Sequence, residues 1–165
     1  MQLPTHVLAG IFIQFFVLQF FQEATWLAFL VVIILGFCSH FFIDALAKIT
    51  YHPPVRQPGA FWLRWHLFVY TFGFFLIIIY LQTYFIGMLA ANFVDIWDWL
   101  FLRNYSNRKN QPDWGKRYYL HPIADRIRRL LFSKLPNLNH TKLGVLPESS
   151  LYFVWLCLFL GYFLF

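Results

Sequence analysis

The chain reads as an all-α, polytopic integral membrane protein with about five transmembrane helices, on three observations. Of its 165 residues, 60% are hydrophobic and 23% aromatic, and only 12% are charged. The apolar residues, 22 Phe among them, are gathered into long uncharged runs, and a domain this small has no interior large enough to hide them from water. Every Lys and Arg falls at the end of such a run or between two of them. A disordered chain or an ordinary soluble domain is excluded on these grounds.

The runs cover residues 5–21, 24–47, 61–80, 84–102 and 151–165, all within one membrane domain spanning 1–165. The opening MQLPTHVLAG has neither a basic stretch nor a small-residue cleavage site, so the first segment is expected to stay as a helix rather than leave as a signal peptide. Gln22 and Glu23 mark a tight turn before the second segment. The stretch from Phe61 to Leu102 is too long for one crossing, since roughly 42 residues at 1.5 Å each would cover about twice the 30 Å hydrocarbon thickness. It must double back, and Leu81-Gln82-Thr83 is the expected place. The last segment is the shortest. Cys38 and Cys157 sit inside apolar runs and are expected to be small core residues rather than a disulfide.

Charge fixes the expected orientation. With five crossings, Lys48, Arg56 and Arg64 bracket the second connection, and the ten remaining basic residues fill 103–150. All thirteen then face one side, which the positive-inside rule makes cytoplasmic, with the N-terminus on that side and a bacterial inner membrane as the expected location. Trp62, Trp65, Trp97 and Trp99 fall at the same interface and Trp26 at the other. After Pro122, the apolar residues Ile123, Ile127, Leu130 and Leu131 alternate with Arg126, Arg128 and Arg129 at helical spacing, predicting an amphipathic helix on the anionic leaflet. Membrane lipids are the expected partners. Nucleic acid is not, because the basic surface carries no aromatic stacking platform and no recognisable binding motif.

A few ionisable residues break the apolar pattern, and each costs on the order of 2.5–3.5 kcal/mol at the centre of a membrane helix. His40 and Asp44 lie one turn apart on the second segment, and Asp95 and Asp98 lie three residues apart on the fourth. Taking Lys48 and Arg103 as markers of one interface, the two pairs lie at matched depth. His40 and Asp95 are both about 12 Å from their marker. His6 enters from the same side. Carboxylates packed together repel unless a cation compensates, so a divalent metal is expected, with mixed imidazole and carboxylate ligands suiting Zn or Mn and one or two ions. A second His-x-x-x-Asp, His121 with Asp125, could close the site from the aqueous side. The blander alternatives are local ion pairs: Asp44 with Lys48, Asp98 with Arg103, and Asp125 with Arg128 or Arg129.

At THVLAG (5–10), GFCSHFFIDAL (36–46) and DIWD (95–98) the sequence resembles the membrane-bound metal-dependent hydrolase family that includes the LexA-regulated inner-membrane hydrolases. That family carries an early His, a Gly-x-x-Ser-His-x-x-x-Asp helix and an Asp-x-Asp-His segment, the last replaced here by Asp-x-x-Asp. The His-x-x-x-Asp helix is also similar to one in zinc-dependent phospholipase C, which implies phosphoester substrates. The resemblance implies a metal-dependent hydrolase working at the cytoplasmic membrane face on a lipid-like substrate. On the reading of the residues themselves, the metal ligands would be His6, His40, Asp44, Asp95, Asp98 and His121, with Asp98 and His121 catalytic and Arg56, Arg64, Arg103 and Arg117 holding an anionic head group. The competing expectations are a structural His/Asp cluster in a non-enzymatic membrane protein and a metal or proton carrier. Polar residues confined mainly to one end, with Gln14, Gln19 and Gln82 the prominent exceptions, argue against a through-path.

Overall fold

The computed structural model describes residues 3–21, 25–53, 57–108 and 118–164, and among these every regular element is helical. The turn expected at Gln22 and Glu23 lies outside the described residues, as do Arg56 and Arg117. The elements are α1 (Leu3–Phe21), α2 (Trp26–Leu46), α3 (Ala60–Asp95), a π-helix over Ile96–Leu102, α4 (Arg103–Arg108), α5 (His121–Leu131) and α6 (Val145–Leu164). Three helical stretches are long and apolar enough to cross a membrane: Leu3–Phe21, Trp26–Ile49 and Ala60–Arg108.

The third stretch is not straight. Tyr84 has φ −122° and ψ 25°, outside the helical region, and splits α3 into two arms one residue beyond the expected reversal. Gly73 on the first arm rests against Leu3 and Pro4, and Asp95 at the end of the second sits with His6. Along a straight helix residues 73 and 95 would be roughly 33 Å apart, whereas Leu3 and His6 are separated by less than one turn. The arms therefore run antiparallel, with α1 packed between them and α2. Gln14 closes the break. Its Nε2 donates to the Thr83 carbonyl at 2.9 Å, and its Oε1 accepts from the Gly87 N–H at 2.7 Å. Thr83 and Gly87 are the i and i+4 partners that an unbroken helix would join directly, so one buried side chain replaces the lost bond and leaves no orphaned group.

Small residues let the helices approach. A methyl group built on Gly10 would collide with the Gly87 backbone, and one on Gly87 would collide with Gly10. A Cβ on Gly36 would stand 2.9 Å from the Ala90 Cβ. This is the close backbone packing expected where lipid tails offer no hydrophobic drive between helices. Val7, Leu8, Ile11, Val69 and Leu76 fill the centre, with Tyr152 and Trp155 of α6 behind them. Outward faces are apolar too: Phe20 and Trp26 are about four-fifths exposed. Cys38 and Cys157 are free and exposed on α2 and α6, not in the core.

The connections differ from expectation at α6, which begins at Val145 rather than at 151. That shift brings Glu148 inside the bundle, where it is fully buried and accepts a hydrogen bond of 2.8 Å from Thr5 Oγ1. The amphipathic helix after Pro122 is present as α5. It lies across the end of α2, with Ala124 packed on Phe41 and Val94 and with Leu130 and Leu131 facing out. Asp125 pairs with Arg128 at 2.8 Å, as the local alternative expected. Arg128 also does something the sequence does not announce. Its Nε and Nη2 donate to the carbonyls of Ala45 and Asp44, capping the C-terminus of α2 and clamping α5 onto it.

Candidate metal centre

Four segments converge at one end of the bundle: the start of α1 brings His6, the last two turns of α2 bring His40 and Asp44, the end of α3 brings Asp95, and the start of α5 brings His121. His6 and His40 are completely buried and their rings stack at 4.1 Å. His6 Nε2 lies 3.1 Å from Asp44 Oδ1. His40 Nδ1 is 2.8 Å from the Ala91 carbonyl, which can only accept, so Nδ1 carries the proton and Nε2 presents a lone pair. That lone pair has no hydrogen-bond partner, yet it is aimed at Asp44 Oδ2, 3.3 Å away, and Asp95 Oδ1, 4.0 Å away.

His121 is set in the same way. Its Nδ1 donates to Asp98 Oδ2 at 2.7 Å, and its Nε2 stands 3.3 Å from Asp44 Oδ2 and 3.2 Å from Asp95 Oδ1. Burial works against a charge on this ring, but hydrogen bonds to Asp44, Asp95 and Asp98 outweigh it and push the His121 pKa up to about 10. Without another cation, the protein thus needs a proton on His121 to balance its carboxylates.

These distances test whether a metal fits. Zinc bonds of about 2.0–2.1 Å in tetrahedral geometry put neighbouring ligand atoms about 3.3 Å apart. Three of the four measured separations among His40 Nε2, His121 Nε2, Asp44 Oδ2 and Asp95 Oδ1 lie at 3.2–3.3 Å, and the fourth is 4.0 Å. His6, His40 and Asp95 form one group of donor atoms within 4.8 Å of one another, and His40, Asp44 and His121 form a second that shares His40. Nitrogen and oxygen donors together, with each Nδ1–H of His40 and His121 tied to an acceptor, make the usual inner and outer environment of a metal-ligating imidazole. The buried His/Asp group can hold a metal ion.

Asp98 departs from expectation. It is fully buried, but its oxygens accept from the backbone N–H groups of Leu120 and His121, and Oδ2 also accepts from His121 Nδ1. It orients His121 instead of joining the donor atoms. The π-helix explains this: with i→i+5 bonding, residues three apart no longer share a face, so Asp95 and Asp98 diverge. Asp125, paired with Arg128, stays outside. Of the expected head-group arginines, Arg103 lies over the Trp99 ring at 5.9 Å, and that ring is 5.2 Å from His121. Arg64 lines a separate groove with Leu67, Phe68 and Phe75, away from the cluster. Sequence reasoning missed the Ala91 carbonyl, the capping of α2 by Arg128, and Glu148. Only Glu148 had a signal, as an acid just ahead of the last apolar run.

The site opens on one side. Asp95 is the most exposed of the donors, its side chain 36% accessible against 12% for Asp44. A groove of about 450 Å³ runs from it between α1 and the two arms of α3. Comparison with protein-family models, with curated proteins and with solved structures gives no match to this chain.

Proposed function

We propose that the chain is a metal-dependent membrane hydrolase that cleaves a lipid-linked phosphoester at the cytoplasmic face of a bacterial inner membrane. The observation that carries this reading is the pair of imidazole nitrogens, His40 Nε2 and His121 Nε2, standing against the same two carboxylate oxygens of Asp44 and Asp95. Zn or Mn suits these donors, with His6 supplying a fifth ligand or part of a second ion's set. The two arms of α3 and the start of α6 at Val145 support five crossings, and under five crossings the sequence puts all thirteen basic residues in the connections expected on one side. The likeness of THVLAG, GFCSHFFIDAL and DIWD to the membrane-bound metal-dependent hydrolases points the same way.

A bound metal supplies Lewis acidity toward a phosphoryl oxygen and lowers the pKa of water in the site. The Ala91 carbonyl and Asp98 fix the rings of His40 and His121, and a bound metal would take the place of the Nε2 proton of His121. Asp95, at the open edge, has a remaining oxygen to take the proton of the attacking water. As water oxygen bonds to phosphorus, the ester P–O bond breaks, and the alcohol leaves with that proton. Arg103, above Trp99, is placed to receive the phosphate charge.

Elemental analysis of the purified chain and of His40→Ala and Asp95→Ala tests the centre. At least one Zn or Mn per chain in the parent and loss of most of it in both variants is expected. Equal metal in all three rejects these ligands. Metal that is retained by the parent, with no phosphate released from any phosphoester lipid under Zn or Mn, would make the cluster a structural one.

A further inference from the structure

Among the described residues that line the groove beside Asp95, Asn92 has a buried side-chain oxygen without a hydrogen-bond partner. Asn92 lies one turn before Asp95 on α3 and lines the same groove. Its Nδ2 donates to the Met88 carbonyl at 2.8 Å, which fixes the amide orientation, and its Oδ1 is buried without a hydrogen-bond partner. The residue is 9% exposed. A buried acceptor left unpaired costs on the order of 1–3 kcal/mol, so it calls for a donor that arrives with a ligand. Beyond Asn92 the groove is apolar, walled by Val7, Leu81, Phe85 and Met88. It runs toward the reversal at Tyr84, away from the charged end. Its 450 Å³ equals about fifteen waters at roughly 30 Å³ each, room for one alkyl chain of similar carbon count.

We infer that this groove holds a single-chain lipid phosphoester whose head carries a hydroxyl or amide donor about one helical turn from the phosphate, received by Asn92 Oδ1. The inference rests on the hydrolase reading for the phosphate end, while the chain end and the donor rest on the groove alone. Diacyl phosphatidate, with its second hydroxyl esterified, lacks the donor and is discriminated against.

The test uses the full-length chain in nanodiscs and a lysophosphatidate bearing a diazirine near the end of its acyl chain. Photolysis and peptide mapping should place the label on 81–88. Unlabelled lysophosphatidate should compete about tenfold better than its 2-deoxy analogue or than diacyl phosphatidate, the worth of one hydrogen bond to a buried acceptor. Asn92→Leu should erase the gap between lysophosphatidate and the 2-deoxy analogue, and Leu81→Trp, which fills the groove, should bring labelling of 81–88 to background. Label spread equally over Ile33 and Ile34 on the outer face of α2, without competition, would overturn the inference, as would a 2-deoxy analogue competing equally well against the parent. Zinc and manganese measured in the same samples separate the two readings. Competed groove labelling with neither zinc nor manganese bound sinks the hydrolase and leaves the lipid site, and bound metal with uncompeted labelling does the reverse.

Discussion

Asp98 shows how a single side chain governs a centre it does not enter. Its carboxylate receives His121 Nδ1–H and the N–H groups of Leu120 and His121, so it fixes both the tautomer of the ring and the turn that carries it. Asp98→Asn should keep the shape but present a weaker acceptor to His121. Metal affinity, read by competition with a chromogenic chelator, should fall about 10–100-fold, the usual loss for an outer partner of a ligating imidazole. An unchanged affinity would mean that His121 is not a ligand. Most of the cluster was legible in the sequence, because His40 and Asp44 share a helical face and Asp95 lies at their depth. Asp98 turns toward Leu120 and His121 for a physical reason. Three-residue spacing implies one face only on an α-helix, and nothing in ANFVDIWDWL announces the π-helix that separates the two acids. The Ala91 carbonyl that sets the tautomer of His40 has no side chain to reveal it.

Helices succeed or fail here by how their broken ends are satisfied. Gln14 stands in for the Thr83–Gly87 hydrogen bond at the reversal of α3, and Gln14→Leu would leave a buried carbonyl and N–H unpaired in an apolar interior. About 1–3 kcal/mol of destabilisation is expected, read as a lower unfolding midpoint in detergent, with Gln14→Glu restoring only the acceptor half. A midpoint that does not move would show that the reversal is held by packing alone. Arg128 plays the matching part at the end of α2. Arg128→Ala removes two charge-assisted bonds to the Asp44 and Ala45 carbonyls, so α5 should loosen and the amides of 121–131 should exchange hydrogen faster, while those of 28–40 keep their protection. The existence of both α5 and the reversal followed from apolar spacing and from the length of 61–102. Gln14 read only as an isolated polar residue, since its partners are backbone atoms more than 65 residues away.

At the scale of the whole molecule, the cluster, Arg128 and the junction between 47–53 and 133–144 all gather at one end of the bundle, where Lys48 donates to the Ser133 carbonyl and Leu138 N–H to the Lys48 carbonyl. The opposite end, at Thr25, carries no described basic residue. If the basic end is cytoplasmic, the sidedness of the bundle and the sidedness of the chemistry are one fact, and a probe of either reports both. Cys38 and Cys157 face outward on α2 and α6 and must first be replaced by Ser to give a silent background. In that background, Thr25→Cys should react with a membrane-impermeant maleimide added to intact cells, and Ser133→Cys only after the membrane is opened. Thr25 caps α2 through its Oγ1, accepting from the Ala28 N–H at 3.2 Å, so a modest drop in stability of about 1 kcal/mol should accompany the first substitution without altering which side it labels. Labelling of Ser133→Cys from outside would invert the molecule, place the metal centre on the far face and remove cytoplasmic lipids from its reach. Labelling of both from outside would mean that Thr25 and Ser133 share a side, which would contradict an odd number of crossings between them and undo the five-helix topology together with the depth matching of His40 and Asp95.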